Sequence, residues 1–349
     1  MKSTEQQTNT RTQAIAHRKQ SSVAAFAHAM LALCVFAIGA VLPLQAQTEA
    51  EAQAPAVTHN TWSSGKPMPT ARFELSAGAI GNNIYVVDGA INSGYAVTGV
   101  NEIYDTKTNA WTTGAPDPTP RFGAAAAVVN GVLYVIGGAA NTGDTLNLVE
   151  AYDPATDAWT TLAPLPTTVG AAVAVVDKDI IYVIGGYITG PDEWLATVYS
   201  YNTTSNTWTE EAPLPVATSW EAAGLLGTTI TVADGQIGPL PGTPVGNTEG
   251  YNPKKNSWTK LTADPTPRLE TCFAAITGQL YVAGGFNSTE VLNVNEAYSG
   301  KTKSWTKLAP MPNALGTPGS ATAGGRLYCI GGAGASLSSI YDYVQIYQP

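Results

Sequence analysis

The chain has 349 residues, 44% of them hydrophobic and only 12% charged, and 17 basic residues against 26 acidic ones give a net charge of −9. An acidic balance with no basic stripe argues against a nucleic-acid backbone as partner. Low charge beside 35 Gly and 23 Pro, with apolar alternation kept up along the chain, excludes a disordered polymer and points to a turn-rich all-β fold.

In chain order, residues 1–22 are polar with Arg11, Arg18 and Lys19, and Val23 to Leu44 is almost wholly apolar. Basic flank, apolar run and the small residue Ala46 read as an export signal over 1–46, cleaved after Ala46. The run is also long enough to span a bilayer, so an uncleaved anchor is the competing reading and the only route to a membrane contact. The expected location is periplasmic or extracellular. Removing 1–46 takes four basic residues and one acidic one, leaving 13 against 25. Residues 47–57, rich in Ala, Glu, Gln and Pro, read as a tether.

From residue 58 to 349 the chain repeats itself. The run VVNGVLYVI alternates about Asn130-Gly131, two strands joined by a tight hairpin, and ends at Gly137-Gly138. After a variable loop, VEAYDPATDAW supplies a third strand, a turn and a fourth strand carrying Trp159. One period is therefore a four-stranded antiparallel sheet with strands a to d. Tryptophans recur at positions 62, 111, 159, 208, 258 and 305, and all but the first have a tyrosine seven residues earlier: Tyr104, Tyr152, Tyr201, Tyr251 and Tyr298. Diglycines keep the same schedule at Gly137-Gly138, Gly185-Gly186, Gly284-Gly285 and Gly331-Gly332, while two copies read Asp88-Gly89 and Asp234-Gly235.

Repeats of this length, with a diglycine and a Tyr…Trp pair, resemble the kelch family, whose units are blades of a β-propeller. Trp62 has no tyrosine strand before it, and Tyr347 ends the chain without a tryptophan after it. The expectation is six blades, with the first strand completing the last sheet so that no edge is left open. Each blade tryptophan is expected in the core, where burying about 150–250 Å² is worth on the order of 4–6 kcal/mol gross. Cys272 and Cys329 fall on small apolar strand positions and read as two buried thiols rather than a disulfide.

Beyond residue 46 the only histidine is His59. That removes Ser-His-Asp and Cys-His catalysis and histidine-based zinc or copper sites, and sets the chain apart from the copper oxidases that share kelch repeats. No cofactor and no metal is expected. The a–b turns are short and repetitive while the b–c loops differ in every copy, which places function on the b–c/d–a face around the central channel.

Residues out of the repeat pattern are the candidates there. Arg72, Arg121 and Arg268 lie 13 residues before Tyr85, Tyr134 and Tyr281, with Thr168, Thr218 and Leu315 read as their counterparts. In kelch domains that resemble this one, such arginines grip acidic peptides or carboxylates; the other reading is that they brace loops. Glu102, Glu150, Glu249 and Glu296, two residues before the blade tyrosines, read as packing or hydrogen-bonding groups. Glu74 and Glu270 follow two of the arginines by two positions, with Trp220 at that place in blade four. Trp220 and Trp194, the two tryptophans outside the period, either form an aromatic rim for a sugar or protein or cover the loop Gln236 to Glu249.

The expected function is a binding module for a glycan or a protein or peptide ligand; nothing in the residues sets an oligomeric state. The alternative rests on resemblance. Exported six-blade kelch proteins include the N-acetylneuraminate epimerases (sialic-acid mutarotases), which implies proton transfer by a Glu and carboxylate binding by an Arg on a b–c loop. Here that loop has Gln236 where an acid is wanted and no arginine up to Tyr251, leaving Glu74 or Glu270 with Arg72 or Arg268 as the substitute pair.

Overall fold

A computed structural model describes residues 59–190, 193–238, 242–335, 337 and 339–349. The expected export signal at 1–46 and tether at 47–57 lie outside the described residues. Every regular element described is a β-strand, and the large sheets are six, each of four antiparallel strands. Blade one comprises Ser76–Ile80, Asn83–Val87, Asn101–Asp105 and Ala110–Gly114; blades two to five repeat that order over 125–161, 173–210, 222–260 and 272–307. In the sixth sheet Gly319–Ala323, Arg326–Ile330 and Val344–Gln348 are joined by Thr61–Ser64, with Trp62 opposite Tyr347.

Local sequence dictates the blade. Strand b, as in VLYVI, alternates between the two neighbouring sheets and is buried on both faces. The a–b hairpins turn on residues in the left-handed region, Asn130 and Gly131 at φ 51° and 79° and Thr277 and Gly278 at 48° and 79°, as primed turns require. Strands c and d are pinned by the Tyr–Trp pair, whose ring centroids lie 5.0 Å apart for Tyr104 and Trp111 and 4.7 Å for Tyr201 and Trp208.

The tyrosines, not the tryptophans, are the buried members. Tyr104, Tyr152, Tyr201, Tyr251, Tyr298 and Tyr347 are essentially inaccessible, whereas all six blade tryptophans are half-buried. The reason is a hydrogen bond. Each indole N–H donates to a backbone carbonyl of the connection leaving the preceding blade, as from Trp159 to Ala115 and from Trp62 to Ala309. That bond holds the ring at the outer seam, where one edge stays wet, so the burial gain per tryptophan falls below the full-core value.

The diglycines stitch blade to blade at the inner end. The second glycine's N–H donates to the next blade at 2.8–2.9 Å all the way round, to Arg121, Val169, Thr218, Arg268, Leu315 and Arg72. A Cβ at Gly138 would lie 2.9 Å from the Phe122 carbonyl oxygen, with φ at 92°, so no larger residue fits this approach.

Cys272, on strand a of blade five, and Cys329, on strand b of blade six, form a disulfide with Cα atoms 5.6 Å apart. This corrects the expectation of two free thiols: neighbouring blades bring the two strands face to face, although 57 residues separate them in sequence.

Candidate functional site

At the inner end of each blade, where the chain enters strand a, one residue per blade meets its neighbours around the central channel: Glu74, Gly123, Ala171, Trp220, Glu270 and Thr317. All six have left-handed backbones, with φ from 49° to 61°. Their peptides form a closed ring of hydrogen bonds. The N–H of each donates to the carbonyl of the residue before it round the circle, Gly123 to Glu74 at 2.9 Å and Ala171 to Gly123 at 2.8 Å, and Glu74 closes the circle onto Thr317 at 2.9 Å. Only one of the six is glycine. Holding five side-chain-bearing residues in this region costs on the order of 1 kcal/mol or more each, offset by a ring that satisfies every inner peptide.

Below the ring lies a cavity of about 170 Å³, walled by the first residues of the six inner strands. Glu74, Glu221 and Glu270 line it, with Trp220, Ser76, Thr271, Thr317 and Ser320, and no Lys, Arg or His is among its lining residues. Glu221 and Glu270 are 4% and 7% exposed. Glu74 keeps more of its surface open to the channel, but the channel walls remove it from bulk water, and its Oε2 lies across Gly123, where a Cβ would come within 3.0 Å. Glu221 folds against Gly185 in the same way.

These carboxyls are hard to ionise. Burial pushes Glu74 up to about 8 and Glu221 up to about 7, the latter eased by the Thr218 hydroxyl and its own backbone N–H. Glu270 is raised well above its ordinary value by burial first and then by the charge of Glu74. Tyr95, on the b–c loop of blade one, packs at the mouth between Phe73 and Phe122, with ring centroids at 5.3 and 4.7 Å. Its hydroxyl is held protonated by burial and by Glu74 and Glu270.

The sign of the pH effect follows. A carboxyl whose pKa is raised on folding binds more protons folded than unfolded, so its contribution declines as pH rises from the unfolded value near 4.5 through the folded one. The buried acids Asp88, Asp117, Asp234 and Asp264 shift the same way. The melting temperature is expected to fall between pH 5 and 8, and Glu74→Gln should flatten that fall; calorimetry across the range checks it, and a rising or unchanged slope would contradict it.

The arginines do not reach this site. Arg72, Arg121 and Arg268 are wholly buried, which replaces the ligand-gripping reading with the bracing one. Arg72 pairs with Glu102 at 2.5 Å and donates to the Val86 carbonyl. Arg121 meets Glu150 at 2.5 Å, Asp117 at 3.5 Å and Asp88 of the preceding blade at 3.9 Å. Arg268 meets Glu296 at 2.9 Å, Asp264 at 3.0 Å and Asp234 of the preceding blade at 3.5 Å. The two copies that read Asp-Gly instead of Gly-Gly thus stand before arginines of the next blade and supply their counter-charge. The inter-blade hydrogen bonds also place Val169, not Thr168, at the arginine position of blade three.

Of the residues singled out from sequence, Glu74, Glu270 and Trp220 come together around the cavity. Trp194 stands behind them: it pairs with Tyr187 at 5.2 Å, and Tyr187 stacks towards Trp220 at 6.4 Å. Gln236 is buried and bridges to Ser219 beside the ring. Sequence reasoning missed Glu221 and Tyr95; the signal for Glu221 was an acid placed directly after the out-of-pattern Trp220. Among the described residues no cluster of three or more His, Cys, Asp or Glu is placed to hold a metal ion, and no helix is long and apolar enough to cross a membrane.

The KLHDC2/KLHL20/DRC7 Kelch-repeats domain matches residues 56–237, and the Kelch motif matches 267–312. The chain belongs to the kelch-repeat family. Among solved structures, one titled "Structure of YjhT" superposes with a TM-score of 0.70 at 18% identity, over 81% of this chain and 99% of that one. A likeness at that identity concerns the fold alone. No curated protein sequence matches the chain.

Proposed function

We propose that this kelch propeller is an exported binding module that takes a glycan or a protein or peptide ligand at the channel mouth on the b–c/d–a face. One observation carries the reading: a walled cavity beneath a rigid ring, with Glu74, Glu270 and Trp220 among its lining residues and serines and threonines besides. Few convergent polar groups in a preformed concavity are the usual make-up of a ligand site. The Cys272–Cys329 bond supports export, because disulfides persist in oxidising compartments. Replacing Trp220 by alanine should weaken capture on a glycan or peptide array about tenfold, while the same change at Trp194 should cost less. Equal capture by wild type and the Trp220 variant would remove the mouth from consideration.

A second reading, proton transfer on a sugar, draws on the raised carboxyls, since Glu74 and Glu221 sit near the neutral range that suits general acid–base work. It cannot use a Glu/Arg pair, because Arg72 and Arg268 are held by Glu102 and by Asp234, Asp264 and Glu296. Anomer exchange of a free sugar followed by NMR, with Glu74→Gln as control, separates turnover from binding.

A further inference from the structure

The cavity combines features that narrow its ligand. Glu74, Glu221 and Glu270 line it from blades one, four and five, Glu221 with its carboxyl turned against Gly185 in the seam, and no cation lines it. Glu270 is 7% exposed, and its Oε1 has no hydrogen-bond partner. A buried carboxylate oxygen without a donor is costly to leave so. Glu102, Glu150 and Glu296, buried between strands of their blades, each have an arginine within 3 Å. Glu270 has no such cation beside it, so a positive group that lets it ionise has to come from outside.

We propose that the cavity recognises a protonated primary amine on a hydroxyl-bearing ligand, the chemistry of an amino sugar with a free amino group. The assignment rests on the mouth being the binding surface. An ammonium group offers three donors and no acceptor, which matches a site with Glu270 and Glu74 on either side of Thr317 in the ring and the serine and threonine hydroxyls left for sugar hydroxyls. Trp220 adds an aromatic face, which attracts a cation as well as a sugar ring. The volume agrees: an engineered cavity of about 150 Å³ holds benzene, so about 170 Å³ admits one ring-sized group and not a long chain. An anionic sugar has no counter-charge here. Glu74 and Glu270, held protonated by burial while the cavity is empty, release a proton to solvent when an ammonium ion enters and so pair with it, whereas a neutral sugar leaves them protonated.

The test uses the chain without residues 1–46 and two disaccharides that differ only in their amino groups: chitobiose, with free amines, and N,N′-diacetylchitobiose. Titration calorimetry at pH 7 should give chitobiose at least a tenfold lower Kd, and Glu270→Gln should bring the two within about threefold. Glu74→Gln carries the same test should the first variant fail to fold. Equal affinities in the wild type, absence of chitobiose binding, or a preference that survives both substitutions would overturn the amine assignment. Binding of the diacetyl form that is lost in the Trp220→Ala protein would still uphold the mouth as the binding surface.

Discussion

Replacing Arg121 by methionine is expected to destabilise the propeller by about 3–5 kcal/mol, the usual loss when one partner of a buried ion pair is removed. The guanidinium is wholly buried among Glu150, Asp117 and Asp88, and none of the three has water to turn to. Burial, Asp117 and Glu150 already hold Asp88 well above its ordinary pKa against the pull of Arg121. Without the arginine these acids can only protonate, so the loss should be smaller at pH 5 than at pH 8. The other blades show the remedy. At the equivalent positions the next pair of blades carries Gly137, Leu165, Val169 and Tyr199, with Leu165 and Val169 in the apolar core. The combined change Asp88→Gly, Asp117→Leu, Arg121→Val and Glu150→Tyr should therefore recover most of the stability that the single change loses. Urea unfolding measures both. A single variant as stable as wild type would show that the network contributes nothing.

Removing the Cys272–Cys329 bond should have an effect of similar size. The bond closes a loop across 57 residues, for which the chain-entropy account gives about 4 kcal/mol and engineered cases often give less. It also joins the fifth blade to the sixth, the sheet in which Thr61–Ser64 pairs with Val344–Gln348. Cys272→Ala with Cys329→Ala, or reduction of the wild type under denaturing conditions, is expected to lower the unfolding midpoint by about 2–4 kcal/mol. Both cysteines are inaccessible in the folded state, so reductant alone should act slowly on the native protein. A midpoint unmoved by loss of the bond would contradict the account.

The repeat was legible because each sheet needs the same few residues in the same places: a hairpin turn, a diglycine, a tyrosine and a tryptophan. Finer facts were less so, for physical reasons. The ring at the mouth is one backbone conformation adopted by Glu, Gly, Ala, Trp, Glu and Thr, so no residue type marks it, and only the shared position does. The arginines looked alike for gripping a ligand and for bracing a blade, because both tasks call for a guanidinium at the start of strand a. What separates the two is Asp117 and Asp264, four residues before Arg121 and Arg268 within a shared D-P-T-P-R, together with the Asp-Gly of the preceding blade. Counting back from Tyr182 as from Tyr134 gives Val169; the two threonines just before it, Thr167 and Thr168, hide the register. The cysteines offered no spacing to read, since their meeting is made by the stacking of adjacent blades.

A crystal structure of the chain without residues 1–46, with a ligand captured from a glycan array, is the direct test of where this propeller works. The account predicts that ligand beneath the ring, within hydrogen-bonding distance of Glu270 and against the face of Trp220. A ligand seated on the opposite face, among the a–b turns such as Asn130-Gly131, would contradict it.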